Sequence, residues 1–273
     1  MPEGPETRRM ADKINKSLKG KNILGFKFYH KSLIQFADLK KVFIKDVLSR
    51  GKAVIIRLDN GFSIISHNQL YGKWTFHRPG TVIKSNRQLR IEFTTKSKVV
   101  RLWSATDIQI FRSSSEFDHS YLKKIGPDVL DSTTTTKIII SILKGKKACR
   151  RALSSVLLDQ SIISGLGNYL RSEILFFASL KHTQKVSNLN DQQVLDLATS
   201  IKEVSIRAYL QKGKTIDLNY FEKEFGNKEN FRKVKHMVFS RAGLPCFICS
   251  EIIVKLIVSS RRIFLCPSCQ NWL

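Results

Sequence analysis

The spacing of apolar residues divides the chain into a first part of predicted strands and a second part of predicted helices. Residues 7–18 place Met10, Ile14 and Leu18 four positions apart, as on one face of an opening helix. Segments rich in β-branched residues follow, and Asp-Asn-Gly at 59–61 is typical of a hairpin turn. The predicted strands cover residues 53–58, 62–66, 90–94 and 99–103. We therefore expect a sheet sandwich beside the opening helix.

Beyond residue 136 the apolar positions recur at a helical period. A glycine-punctuated turn, Ser-Gly-Leu-Gly-Asn at 164–168, runs into one of the predicted helices. The polar and charged residues 213–235 are predicted to form a connector or loop. The predicted helices cover residues 137–143, 152–158, 169–177 and 191–210.

The end of the chain is predicted to form a β-hairpin. Strands at 251–258 and 263–266 flank a turn at 259–262 that carries two arginines. An exposed arginine pair is usually a solvated turn, but on a rigid hairpin of a very basic protein phosphate binding is the better interpretation. The sequence thus predicts an α+β fold with domains at 1–130, 131–237 and 238–273.

The charge of the chain points to a polyanionic partner. The 273 residues include 47 Lys+Arg against 22 Asp+Glu, a formal net charge of +25, and an apolar content of 42% excludes a disordered tail protein. No run approaches the ~18 apolar residues of a membrane span, and no basic-then-apolar signal peptide opens the chain. We therefore expect a cytoplasmic protein that binds DNA or RNA and no membrane.

Four of the five cysteines form a pattern that is typical of a metal site. Cys246 and Cys249 make one C-x-x-C, and Cys266 and Cys269 make a second after sixteen residues. This zinc-ribbon spacing lets two tight turns each supply two thiolates to one tetrahedral ion. Disulfides are the alternative, which a reducing compartment disfavours. The fifth, Cys149, is most simply a small buried residue on a helix.

The first residues, Met-Pro-Glu-Gly-Pro-Glu, allow two interpretations. Proline and acidic residues favour the first turn of a helix, so the stretch can be a helix start alone. Met1 is also expected to be removed before the small Pro2, which then presents a free amine. An α-amine has a pKa of ~7.7–8.0 against ~10.4 for lysine, so roughly one-tenth of it is nucleophilic at pH 7. Glu3 beside it is placed to transfer protons.

Several short segments together resemble one family. The segments are PEGPE at 2–6, RGKA at 50–53, SHNQLYG at 66–72, IGPDVLD at 125–131, LLDQ at 157–160, GLGNYLRSEIL at 165–175, VFSRAGLPC at 238–246, and SSR at 259–261 between the cysteine pairs. In the order and spacing of these segments, the chain is similar to the formamidopyrimidine-DNA glycosylase and endonuclease VIII family of bifunctional base-excision repair enzymes, and within it to the endonuclease VIII branch. The resemblance implies a β-sandwich with an N-terminal helix, then a helix-two-turn-helix domain with a β-hairpin zinc finger that holds one structural Zn²⁺.

The resemblance also implies catalytic roles for four residues. Pro2 matches the Schiff-base nucleophile and Glu3 the acid/base partner. Lys52 matches the lysine that contacts phosphate and assists β-elimination. Arg261 matches the zinc-finger arginine that binds phosphates at the lesion and supports δ-elimination. Two further carboxylates of the pattern, Glu6 and Glu173, are as consistent with structural as with chemical roles.

The same resemblance implies DNA contacts. Asn168, which follows two glycines at a helix start, matches the phosphate-binding asparagine. Lys124 stands where the branch has an arginine, so a bidentate grip becomes a point charge. Consecutive Gln69, Leu70 and Tyr71 match the wedge inserted where a base is flipped out, although without this context they would be core residues at a strand end.

The expected function is therefore that of a DNA glycosylase and AP lyase acting on damaged double-stranded DNA. The wedge, and the absence from 213–235 of the glycine-threonine signature of the purine branch, favour oxidised pyrimidines and β,δ-elimination. An oxidised-purine glycosylase and a catalytically silent zinc-ribbon DNA-binding protein are the alternatives. We expect a monomer, associated with the nucleoid, that binds DNA in a basic cleft between its sheet and helical domains.

Overall fold

A computed structural model describes residues 2–36, 42–216 and 234–270 of the chain. The chain divides into two compact units, residues 1–124 and 125–273. The division comes earlier than the expected boundary at 130 because residues 126–128 are bonded within the second unit. Gly126 N donates to Gln160 O at 2.8 Å, and Ser164 N donates to Pro127 O at 2.9 Å. A Cβ on Gly126 would lie 2.4 Å from the carbonyl oxygen of Ile162, so a glycine is needed there.

The first unit opens with helix α1 (Gly4–Leu18). Of the predicted apolar face of α1, Ile14 and Leu18 are fully buried and Met10 is partly buried, and Ala11 is buried beside them. Asn15 ties the helix to the strand beside it, because its Oδ1 accepts from Val47 N at 3.0 Å.

Eight strands and α1 make up most of this unit. The strands are β1 (Gly25–Phe28), β2 (Ile44–Arg50), β3 (Ala53–Leu58), β4 (Phe62–His67), β5 (Lys73–His77), β6 (Leu89–Thr94), β7 (Val99–Trp103) and β8 (Asp107–Arg112). They form two antiparallel four-stranded sheets, ordered β1-β6-β7-β5 and β2-β3-β4-β8. The core contains side chains of both sheets and of α1, among them Ile56, Ile64, Phe93 and Leu102. The expected sandwich with an N-terminal helix is confirmed.

In its described residues, the second unit has four α-helices and one β-hairpin. The helices are α2 (Thr136–Lys144), α3 (Leu153–Val156), α4 (Asn168–Phe177) and α5 (Asp191–Leu210), and the hairpin strands are β9 (Val254–Val258) and β10 (Arg261–Leu265). Helix α4 is the centre of the unit, because Leu170, Ile174 and Leu175 are fully buried in the core around it. The hairpin is held to α4, since Phe264 N donates to Ser172 Oγ at 3.2 Å.

The structure corrects several predicted elements. Strands β1, β2, β5 and β8 were not predicted, and the helix expected at 152–158 is the single turn of α3. The hairpin turn consists of Ser259 and Ser260, both with positive φ, so Arg261 and Arg262 begin β10 instead of lying in the turn. Most of the connector predicted at 213–235 lies outside the described residues. Among the described helices, none is long and apolar enough to cross a membrane.

Candidate active site, DNA-binding residues and metal centre

The N-terminal residues of the chain form the cap of α1. Glu3 is the N-cap residue and is 5% exposed, and Pro5 stands in the first turn. Glu3 and Glu6 form a capping box in which Glu6 Oε2 accepts from Glu3 N at 3.1 Å. Thr7 adds a bond from its Oγ1 to Glu3 O at 3.0 Å. The cap fixes the backbone that directly follows Pro2, and it gives Glu6 a structural role.

Lys52 lies in a two-residue turn between β2 and β3. Arg50 pairs with Ala53 across this turn, and Gly51 has a φ of +57°, a conformation that glycine adopts without strain. Lys52 is 7% exposed. Its backbone N donates to the hydroxyl of Tyr121 at 2.9 Å.

Tyr121 and His67 lie beside this turn as a pair of half-buried rings. The rings of His67 and Tyr121 are 4.5 Å apart. Burial lowers the pKa of His67, and the positive charge of Lys52 lowers it further, while Asp107 opposes the change. The side chain is therefore neutral at pH 7, when Nδ1 can accept a hydrogen bond.

The wedge residues form an exposed turn after β4. Leu70 is 70% exposed and Tyr71 is 66% exposed, although both are large apolar side chains. His67 Nδ1 accepts from Gln69 N at 3.2 Å, and Arg87 donates to the carbonyl of Tyr71. The side chains that the sequence context marked as a wedge are thus presented to solvent on a turn held by hydrogen bonds, instead of being buried in the core.

Asn168 is the first residue of α4, and its amide is oriented by Arg171. Arg171 is 1% exposed, and its Nη2 donates to Asn168 Oδ1 at 2.9 Å. The same Nη2 donates to Arg262 O at 3.0 Å, and Nη1 donates to Ser154 O at 3.4 Å. This arginine therefore connects the start of α4 with α3 and with the beginning of strand β10. Sequence reasoning gave no role to Arg171, because two of its three partners, Ser154 and Arg262, are distant along the chain.

Arg261 is exposed at the start of β10 and lines a cavity of about 290 Å³. Arg151, Ser154, Ser155 and Ser259 also line this cavity, together with Asp159, whose carboxylate accepts from Arg151 Nη1 at 2.8 Å. Arg261 and the hydroxyl groups are therefore the lining groups best suited to a phosphate. Lys124, which is also exposed, ends the first unit.

The four cysteines of the two C-x-x-C pairs come together in the second unit. Their sulfur atoms all lie within 4.8 Å of one another. Cys249 Sγ is 3.4 Å from those of Cys266 and Cys269, and Cys246 Sγ is 3.8 Å from that of Cys269. Four thiolates around one tetrahedral Zn²⁺, at about 2.3 Å each, would have similar separations. The cluster can therefore hold a single metal ion, whereas Cys149 is not part of it.

Glu173, whose role the sequence left open, is a structural anchor. Its fully buried carboxylate accepts from the backbone N atoms of Met237, Val238 and Phe239 at 2.8–2.9 Å, and from Thr215 Oγ1. Thr215 N also donates to Lys235 O at 2.9 Å. Residues on both sides of segment 217–233 are thus fixed to α4 by one side chain.

Two sequence profiles cover most of the chain. One described as "Formamidopyrimidine-DNA glycosylase N-terminal domain" matches residues 1–109, and one described as "Formamidopyrimidine-DNA glycosylase H2TH domain" matches residues 125–219. A protein named Endonuclease 8 from Klebsiella pneumoniae is 37% identical over 272 residues, which cover 99% of this chain and all of that protein. The chain belongs to the formamidopyrimidine-DNA glycosylase and endonuclease VIII family.

Other members of the family agree with this assignment. Proteins named Endonuclease 8 from Salmonella paratyphi B and Escherichia coli O9:H4 are each 35% identical over the same 272 residues. The resemblance of the sequence motifs to this family is confirmed.

Solved structures of the family have the same fold. The formamidopyrimidine-DNA glycosylase of Lactococcus lactis, bound non-covalently to DNA containing an AP site, superposes with a TM-score of 0.79 at 20% identity and covers 98% of this chain and 99% of its own. A complex of the same enzyme with DNA containing an oxidised pyrimidine has a TM-score of 0.80 at 21% identity, with coverage of 99% and 100%. At this identity the likeness shows the fold, and the expected fold class is confirmed.

Proposed function

We propose that this protein is a bifunctional DNA glycosylase and AP lyase of base-excision repair that removes oxidised pyrimidines from double-stranded DNA. The observation that carries the proposal is the start of the chain, where Pro2 precedes the buried Glu3 on a capped helix. It occurs in a chain 37% identical over nearly its full length to a protein named Endonuclease 8. The protein acts as a monomer in the cytoplasm, on the DNA of the nucleoid.

The proposed first step is base removal by the amine of Pro2. The nitrogen attacks C1′ of the damaged nucleotide, the bond from C1′ to the base breaks, and the base leaves with a proton. Glu3 donates a proton to the sugar or the leaving group and later accepts a proton in turn. The nitrogen then loses its remaining N–H proton, and the C1′–O4′ bond breaks with a proton going to O4′. The product is an iminium joined to the opened sugar, which acidifies the hydrogens at C2′.

The second step is strand cleavage by elimination. Removal of a C2′ proton expels the 3′ phosphate, and a further elimination expels the 5′ phosphate. Lys52 and Arg261 supply positive charge for the phosphate groups, and charge that is already in place costs no reorganisation during the reaction. Lys124 and Asn168 each bind the DNA backbone.

The preference for oxidised pyrimidines rests on the wedge. Gln69, Leu70 and Tyr71 offer an amide, an aliphatic and an aromatic side chain in one turn, and Leu70 and Tyr71 are mostly exposed. Such side chains can fill the gap left by a flipped base and meet its unpaired partner.

The metal held by Cys246, Cys249, Cys266 and Cys269 is Zn²⁺, since four thiolates with this spacing select it. Its role is to hold the hairpin that carries Arg261.

Borohydride trapping tests the proposal. Duplexes carrying thymine glycol, oxidised guanine or an abasic site are incubated with the protein and borohydride, and the covalent adduct is digested for mass spectrometry. We expect an adduct on the peptide that begins at Pro2, and faster turnover of thymine glycol than of oxidised guanine. A protein with an uncleaved peptide before Pro2 is the matched control, and it should form no adduct.

Each other outcome contradicts one part of the proposal. No adduct with any duplex would leave a DNA-binding protein without catalysis. An adduct on an internal lysine would remove the role of Pro2. Faster turnover of oxidised guanine would make the protein an oxidised-purine glycosylase.

A further inference from the structure

The backbone amide of Lys52 has an unusual partner for the tip of a hairpin. Strands β2 and β3 pair as far as Arg50 and Ala53, so the two turn residues lie beyond the last rung of the ladder. A turn amide in this position commonly bonds to water. In this protein the amide of Lys52 instead donates to the hydroxyl of Tyr121, 69 residues further along the chain, at 2.9 Å.

Tyr121 is itself held in place by residues of the same unit. Tyr121 N donates to His119 Nδ1 at 3.2 Å. His119 is fully buried, and its Nε2 lies 3.3 Å from Asp107 Oδ1. The contact with His119 holds the pKa of Asp107 below its ordinary value, so this carboxylate is charged at pH 7. The phenol ring packs on His67 at 4.5 Å.

His67 extends this arrangement to the wedge. It pairs with Ala53 in the sheet, and its Nδ1 accepts from Gln69 N at 3.2 Å. Tyr121 therefore contacts the Lys52 turn through its hydroxyl, and through its ring it contacts the residue on which the wedge turn begins. Removal of the hydroxyl oxygen of Tyr121 would break the contact with the Lys52 amide and would leave the ring packed on His67.

We propose that Tyr121 is a positioning residue for Lys52, which its hydroxyl holds in one backbone conformation so that the ammonium group stays at the phosphate expelled in β-elimination. The inference rests on the role proposed for Lys52. Tyr121 acts through the turn and needs no contact with the DNA. Without the hydroxyl, the Lys52 amide turns towards water and the turn samples other conformations, so the ammonium group is in place for a smaller fraction of the time.

The test is Tyr121→Phe, which removes one oxygen atom and keeps the ring on His67. Strand cleavage at an abasic site is measured in single turnover across a range of protein concentrations. We expect the maximal rate to fall about three- to tenfold, while the concentration for half-maximal rate changes less than about twofold, as for loss of an interaction used in the transition state. Tyr29→Phe, at a half-exposed tyrosine of the same unit, is the matched control and should cleave at the wild-type rate.

A double-mutant cycle separates positioning from a general effect on the fold. In a Lys52→Ala background, Tyr121→Phe should cause no further loss of rate, because the side chain that it positions is gone. The same loss in both backgrounds, or a wild-type rate for Tyr121→Phe alone, would overturn the inference.

Amide hydrogen exchange tests the contact independently of catalysis. The amide of Lys52 should exchange faster in Tyr121→Phe than in the wild type and in Tyr29→Phe. Unchanged exchange would overturn the inference even if the proposed function holds. A wild-type protein that exchanges as expected but forms no borohydride adduct would instead overturn the proposed function, and with it the catalytic part of the inference.

Discussion

Arg171 Nη2 lies 2.9 Å from Asn168 Oδ1 and donates a hydrogen bond to it inside one turn of α4. The bond orients the side-chain amide of Asn168, so that its oxygen points to the arginine and its NH₂ group is directed towards an acceptor. Because the same guanidinium also bonds to Arg262 O, the asparagine and the strand next to the hairpin turn are held by one buried side chain.

Replacement of this arginine tests that connection. Arg171→Lys keeps the charge but not the planar set of donors, so acceptors at Asn168, Arg262 and Ser154 lose their partner. We expect the free energy of unfolding to fall by about 1–3 kcal/mol, the cost of leaving buried acceptors unsatisfied. Urea denaturation checks this, with Arg150→Lys at an exposed position as the control within about 0.5 kcal/mol of wild type.

Substitutions in the wedge should slow base excision without lowering the stability of the fold. Leu70→Ala and Tyr71→Ala remove exposed side chains, so stability should change by less than about 0.5 kcal/mol. Base excision from duplex DNA should slow by about tenfold or more, since stacking on a base contributes roughly 1–3 kcal/mol. Single-turnover excision and thermal unfolding are measured together. Val82→Ala, which removes an 87% exposed aliphatic side chain, should change neither, and a wedge variant that behaves like it would contradict the assignment.

Arg261 should separate the two chemical steps. Arg261→Ala is expected to leave base removal partly intact and to weaken strand cleavage, above all the second elimination. The products are resolved on a denaturing gel by their 3′ ends. The matched control is Arg262→Ala, because neighbouring residues of a strand point to opposite faces and this variant should keep the wild-type ratio of products. Equal loss of base removal and cleavage in Arg261→Ala would count against its role.

The affinity of the cysteine cluster for zinc should depend on pH. Burial raises the pKa of Cys266 to about 11 and that of Cys269 beyond its usual range in the absence of an ion. Zinc binding at pH 7 must therefore release protons, so a chelator should extract the ion more readily as the pH falls. We expect one zinc per chain by elemental analysis, loss of zinc in Cys266→Ser, and full zinc in Cys149→Ser.

Mild acid should destabilise the protein through His236. Burial lowers the pKa of His236, and Lys235 adds to this, while Glu173 opposes it. Because the folded pKa lies below the unfolded value of 6.5, the stabilisation is complete above pH 6.5 and is lost as the pH falls through the folded pKa. Urea denaturation at pH 7.5 and 5.5 should show the loss. His236→Phe, which keeps a ring against Tyr169 and Phe239, should show a smaller one.

The elements that the sequence predicted best have strong local signals. Strands 53–58 and 99–103 and helix 191–210 have the bounds of β3, β7 and α5. Strand 53–58 is rich in β-branched residues and ends at an Asp-Asn-Gly turn, and helix 191–210 has a polar capping box at Asn190. Strand β8 was overlooked although residues 107–110, Asp-Ile-Gln-Ile, alternate between polar and apolar, and the Ser259-Ser260 turn was missed because serine rarely adopts positive φ.

The candidate site divides in the same way. Pro2, Lys52, the wedge and the cysteines stand in short motifs that can be read along the chain. The contacts that hold them cannot, since Tyr121 is 69 residues from Lys52, and Arg171 is 91 residues from Arg262. Only the folded chain brings such pairs together, so sequence motifs name the reacting groups but not the residues that support them.

Glu173 also joins two distant parts of the second unit. One carboxylate on α4 and one backbone pairing hold Thr215 and Lys235 together, although the two residues lie 20 positions apart along the chain. Because the acceptor is a single buried side chain, its loss would release both positions from α4 at once and leave several backbone N–H groups without a partner.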